Sequence, residues 1–80
     1  MRSVQIYSRH GCHLCEIALN LLESLQNELE FEIQEIFIEG DSDLENKFGD
    51  FVPVIQIDHV QHDFFRVDPA RFRQAINDPK

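Results

Sequence analysis

Eighty residues carrying fifteen acidic against seven Lys and Arg side chains have a net charge of −8 at neutral pH. The acids run from Glu16 to Asp78 with no basic face between them, so neither a nucleic-acid backbone nor an anionic membrane surface is expected as a partner. The length suits one domain, 1–80, near the lower limit at which an apolar core holds a fold unaided, and 42% hydrophobic residues with seven Phe supply that core and exclude disorder.

Taken along the chain, Val4, Ile6 and Tyr7 mark a first strand, and Ser8-Arg9-His10-Gly11 a polar loop whose glycine allows a sharp approach to Cys12. From Leu14, the apolar residues Ile17, Ala18, Leu21, Leu22, Leu25 and Leu29 recur at helical spacing, with Glu16, Asn20, Glu23, Gln26 and Asn27 on the other face. Phe31 to Ile38 reads as a strand, and its charged residues place it at a sheet edge. Asp41 or Ser42 caps a short helix that runs through Phe48 and ends at Gly49. Val52 to Ile57 is a strand beginning at a proline, Asp58-His59 a two-residue turn, and Gln61 to Arg66 the strand after it. Asp68-Pro69 is a helix start, an N-cap followed by proline at the first helical position.

The order βαβαββα predicts an α/β domain. The first crossover makes a parallel pair, the two-residue turn an antiparallel hairpin, and a four-stranded mixed sheet with helices on both faces follows. No apolar stretch reaches membrane-spanning length, and the beginning, Met1-Arg2-Ser3-Val4-Gln5, has only a few apolar residues before Ser8, too short a run for a signal peptide's apolar core, so no signal peptide is expected. A cytoplasmic monomer is expected, in a compartment where thiols stay reduced and a Cys-x-x-Cys pair is more often catalytic than structural.

The only two cysteines, Cys12 and Cys15, stand between the first strand and the long helix. Thiol exchange needs a thiolate, and a free cysteine with a pKa near ~8.5 is only slightly ionised at neutral pH. At a helix start, unpaired N–H groups and the helix dipole favour the Cys12 anion; Arg9, with His10 or His13 when protonated, adds to this, and Glu16 opposes it. Cys15, three residues on, is within disulfide reach and can resolve a mixed disulfide at Cys12. A purely stabilising disulfide would close so small a ring that it restrains little unfolded-chain entropy. The competing readings are a metal module, in which the pair is half a zinc site completed by His10 or His13 and a second copy, and a redox-silent interaction module.

Tyr7-Ser8-Arg9-x-Gly11-Cys12-x-x-Cys15, then Val52-Pro53-Val54 and a terminal amphipathic helix, resembles the glutaredoxin-like branch of the thioredoxin superfamily over nearly the whole chain. The resemblance implies a minimal thioredoxin fold and a thiol–disulfide oxidoreductase with Cys12 as nucleophile and Cys15 as resolving thiol, serving electron transport. It also implies a cis Pro53 facing the dithiol, with the Val52 backbone free to pair with an extended substrate. Arg9, His13, Val52, Pro53 and Arg66 are the expected substrate-binding residues, and a protein or small thiol or disulfide the expected partner. No cofactor beyond the redox-active disulfide and no metal ligand set is expected, although glutaredoxin relatives can hold an iron–sulfur cluster between two subunits. The chain departs from the family pattern in three places. His10 replaces a common proline, His13-Leu14 replaces Pro-Tyr, and Phe64-Phe65-Arg66-Val67-Asp68 stands where glutathione users carry Gly-Gly. Glutathione is therefore expected to be a poor ligand. Of Phe64 and Phe65, one is expected in the core and one exposed, and each histidine is expected at the surface.

Overall fold

Side-chain alternation along the central strand decides how the layers assemble. The structure, a computed structural model, describes residues 2–77; Met1 at the polar beginning and Asp78, the last of the acids, lie outside the described residues. In β1 (Arg2–Ser8), Val4 and Ile6 point to one face and Ser3, Gln5 and Tyr7 to the other. Around it stand α1 (His13–Gln26), β2 (Phe31–Phe37), α2 (Ser42–Phe48), β3 (Val54–Ile57), β4 (Val60–Phe64) and α3 (Pro69–Asn77). The sheet order is β2-β1-β3-β4, with β1 and β2 parallel and the other two pairs antiparallel. This is the expected mixed sheet, with β2 at an edge.

The Val4 and Ile6 face forms one core with Ala18, Leu22 and Leu25 of α1 and with Phe72 and Ile76 of α3. Phe72 is fully buried and meets Phe31 edge-on at 5.2 Å between ring centroids. On the opposite face Phe48 of α2 packs against Tyr7, 4.7 Å between centroids, so helices cover both faces. Gln5 is buried on that second side and fully engaged. Its amide nitrogen donates to Ser3 Oγ and to Gln34 Oε1, and its Oε1 accepts from the His59 N–H at 2.9 Å.

That last bond holds the β3–β4 turn. Asp58 and His59 have φ of 51° and 67°, the left-handed pair that a two-residue hairpin requires, and neither residue is glycine. The Asp58 carboxylate accepts from Arg2 Nε at 2.8 Å and from the Ser3 N–H at 2.9 Å, and the Asp58 N–H donates to the Ser3 carbonyl. Hydrogen bonds to β1 thus stabilise the strained turn and anchor this end of the hairpin on the central strand.

Several expectations need correction. The long helix ends at Gln26, and Leu29 packs on the core from the turn after it. Leu14 and Ile17 are 50% and 51% exposed, because the buried row is Cys15, Ala18, Leu22 and Leu25, one position further round the helix. The third strand begins at Val54, since Pro53 has no N–H to give the ladder. The fourth runs Val60–Phe64 and stops where Phe65 turns to a φ of 69°. Phe64 and Phe65 are both exposed, at 39% and 47%. Among the described residues no helix is long and apolar enough to cross a membrane.

His62 is also misplaced by the surface expectation. It is half-buried on β4 with its ring edge toward Phe72, and its Nε2 is buried without a partner among the described residues. Burial first, then the nearby Arg71 charge, pushes its pKa below the ordinary histidine value. The unfolded chain therefore binds a proton more readily than the folded one, and stability falls as pH drops from about 6.5 through the lower folded value. The urea midpoint should decline between about pH 7.5 and about pH 5.5, and His62→Leu should remove most of that decline. An undiminished decline in the variant would assign the effect to other groups.

Candidate active site

The dithiol is built by the way β1 passes into α1. Ser8 ends the strand, its carbonyl accepting from the Ile38 N–H at 3.0 Å. The chain then turns through Gly11 at φ 74°, a conformation that disfavours any residue with a Cβ, and the Cys12 N–H reaches back to the Arg9 carbonyl. Cys12 is the N-cap of α1. Its backbone is extended, its carbonyl accepts from the Glu16 N–H, and its Sγ accepts from the Cys15 N–H at 3.2 Å. A sulfur thus occupies the place that a Ser, Thr or Asp oxygen usually takes. Cys12 and Cys15 are joined in a disulfide, with Cα atoms 5.2 Å apart.

The two sulfurs live in different surroundings. Cys12 is half-buried, whereas Cys15 is 3% exposed and belongs to the buried row of α1. When the bond opens, charge on Cys12 Sγ is met by a first-turn N–H and the positive end of a helix, a contact that strengthens as the acceptor becomes an anion.

A cleft of about 180 Å³ lies beside the disulfide, lined by Ser8, Arg9, Cys15, Glu35 and Phe37 among others. Its upper rim is held by a clamp that the sequence did not reveal. Glu39 Oε1 accepts from the His10 backbone N–H at 2.8 Å and meets His10 Nδ1 at 2.6 Å, while the His10 ring stacks on Phe37 with centroids 4.1 Å apart and planes within 7°. The His10 backbone N–H, followed by the His10 ring and the Arg9 charge, holds the Glu39 carboxyl below its ordinary pKa. On the other side Arg9 Nη1 donates to the Gly49 carbonyl at 3.1 Å, tying the loop to the end of α2.

Of the expected site residues, Arg9, Cys12 and Cys15 meet in this cleft. His13 does not line it. It sits on the first turn of α1 with its side chain 82% exposed, 3.8 Å from the exposed Glu16 carboxylate. The Val52–Pro53 bond is cis. Because β3 runs antiparallel to β1 with Tyr7 opposite Val54, Val52 and Pro53 stand at the end of the sheet where the dithiol loop begins. Arg66 is exposed beyond β4, tied by its own N–H to the Phe64 carbonyl, and the Phe65 N–H donates to the Pro53 carbonyl. Phe51, Phe64 and Phe65 form an exposed aromatic group there, with centroids 5.2 to 6.5 Å apart. Among the described residues no group of three or more His, Cys, Asp or Glu side chains is arranged to hold a metal ion.

Comparison with known proteins agrees with this fold. The family model described as Glutaredoxin-like domain (DUF836) matches residues 3–77. Uncharacterised proteins of Mycobacterium tuberculosis and Mycobacterium bovis are 32% identical over 78 residues, covering 91% of this chain and 80% of theirs. Among solved structures, the solution structure of protein Ne2328 from Nitrosomonas europaea superposes with a TM-score of 0.83 at 30% identity, covering 92% of this chain and 89% of that one. The X-ray structure of protein XcR50 from X. campestris gives 0.75 at 28% identity, covering 95% and 99%.

The Glu39 clamp carries a direct expectation. Glu39→Ala should leave the sheet intact while the His10 amide, deprived of its acceptor, exchanges with solvent on the order of tenfold faster. Hydrogen exchange followed residue by residue measures this, and an unchanged His10 rate would show that the loop is held by Arg9 and Gly11 alone.

Proposed function

The chain belongs to the glutaredoxin-like domain family of the thioredoxin superfamily, and from that premise we propose that it is a thiol–disulfide oxidoreductase working through Cys12 and Cys15. The observation that carries this reading is the unequal placement of the two sulfurs, one capping a helix at the surface and the other buried behind it. In the reducing direction the Cys12 thiolate attacks a substrate disulfide and displaces one substrate thiolate. The Cys15 thiol, on losing its proton, then attacks Cys12 Sγ, releasing the second substrate thiolate and closing the Cys12–Cys15 bond. No cofactor beyond the dithiol is required, and a reducing compartment such as the cytoplasm would return it to the thiol form.

An apolar protein disulfide suits the surroundings better than a small anionic thiol. Leu14 and Ile17 are exposed on the first two turns of α1, and the Phe51, Phe64 and Phe65 group lies at the end of the sheet occupied by Pro53. We assign the Val52 backbone, Arg9, His13 and Arg66 to substrate contact around this rim, with Pro53, whose ring is fully buried, setting the course of the Val52 backbone. The start of α3 offers little to a carboxylate, because the Ala70 and Arg71 N–H groups are already taken by Asp68 Oδ1 at 3.0 and 3.3 Å. A bound carboxylate that loses hydration without finding donors costs roughly 1–3 kcal/mol per unmade bond.

Two measurements test the reading. With Cys15→Ser, the remaining Cys12 should alkylate faster at neutral pH than Cys15 does in the Cys12→Ser protein, and the increase of its rate with pH should set in at a lower pH. A faster Cys15 would reverse the roles. In a coupled disulfide-reduction assay glutathione should support only weak turnover, and added salt should recover only part of it, because repulsion by the −8 charge is screened over about 8 Å at physiological ionic strength. Brisk turnover with glutathione would overturn the preference for an apolar protein substrate.

A further inference from the structure

We propose that Ser8 is a positioning residue for the resolving thiol, with a hydroxyl held in reserve to donate a hydrogen bond to Cys15 Sγ when the disulfide opens. The inference rests on the redox reading above and deepens it. Ser8 is 1% exposed, and its Oγ is buried with no hydrogen-bond partner among the described residues. Its backbone is fixed by β1 and by the Ile38 N–H on its carbonyl, and it lines the same cleft as Cys15. It follows Val4 and Ile6 in the strand alternation and so faces α1, where Cys15 is buried.

A buried hydroxyl without a partner is costly, and folded proteins rarely keep one unless some state of the molecule uses it. Exchange supplies such a state. An external thiol ionises, and its thiolate gives an electron pair to Cys12 Sγ. The Cys12–Cys15 bond breaks with its electron pair left on Cys15 Sγ, and that sulfur finally takes up the proton that the external thiol released. In between, Cys15 carries charge where little water reaches. The first-turn N–H that serves a thiolate is directed at Cys12. The charged groups around the cleft are Arg9 and His10 from the loop, Glu16 from α1 and Glu35 from β2. Glu16 and Glu35 are acceptors and cannot donate when ionised, and Arg9 and His10 are exposed side chains directed in part to the Gly49 carbonyl and to Glu39. Among the described side chains that line the cleft, the Ser8 hydroxyl is the buried donor that remains.

In the oxidised protein the hydroxyl is unpaired, and in the reduced protein it is satisfied, so Ser8 favours the reduced form and raises the reduction potential. Ser8→Thr and Ser8→Val are equal in size and differ only in the hydroxyl. The Ser8→Val protein should be more strongly reducing than the Ser8→Thr protein by on the order of tenfold in its exchange equilibrium with dithiothreitol, about 30 mV. Independently of any exchange, both substitutions can be placed in a Cys12→Ser background and the alkylation rate of Cys15 followed against pH. The profile with Ser8→Val should lie at higher pH than the profile with Ser8→Thr, because only the latter keeps a donor for the thiolate. Equal potentials and superimposable profiles for the pair would overturn the role of Ser8. A wild-type disulfide that does not exchange with thiols would overturn the redox reading instead, and the alkylation profiles would still decide Ser8.

Discussion

The contact on which the site depends is the hydrogen bond from the Cys15 N–H to Cys12 Sγ. A helix leaves its first N–H groups unpaired, and here the cap that satisfies one of them is the Cys12 sulfur itself. Helix start and dithiol geometry are therefore one structure. The cap places Cys12 at the surface, and helical spacing then turns Cys15 inward to the row shared with Ala18, Leu22 and Leu25. The loop before the cap has few ways to move, since Ile38, Glu39 and Gly49 each hold a group of Ser8, Arg9 or His10. Those three residues lie after β2 and after α2, so the sheet order and the second helix both act on the geometry at Cys12.

Features governed by local chemistry were legible in the sequence. Asp68-Pro69 starts α3 because the Asp68 carboxylate accepts from the next N–H groups, a relation contained within four residues. Asp41 starts α2 in the same way. The Asp58-His59 turn was legible from its length, although the Arg2, Ser3 and Gln5 contacts that hold it in a left-handed conformation come from more than fifty positions away. Glutamates within Phe31 to Ile38 marked the sheet edge because only an edge strand can keep so many carboxylates in water.

What stayed hidden depends on which neighbour arrives. Periodicity marks Leu14, Ile17 and Leu29 as apolar residues of a helix, but it does not say how far round the helix the sheet reaches, nor that Leu29 can pack after the helix has ended. Glu39 reads as a turn residue, and nothing in its surroundings announces His10, twenty-nine positions earlier. His62 stands among polar residues and is drawn against the core only because Phe72 of α3 folds across β4. Ser8 looks like the first residue of a polar loop, yet strand alternation continues one position further than the apolar pattern shows and buries it.

The acidic surface and the apolar rim act over different distances. Charges spread over the chain slow the approach of any anion, but at physiological salt that influence fades within about 8 Å. For the partner proposed above, affinity would be set at contact, where Leu14, Ile17 and the Phe51, Phe64 and Phe65 group present exposed apolar area. Burial of such area is favourable by roughly 25 cal/mol for each Å², and it requires no ordered counter-charge. A partner that is apolar at contact and neutral or basic beyond it gains on both counts. A small anion gains on neither, because the −8 charge opposes its approach and the helix-start donors of α3 are already occupied by Asp68.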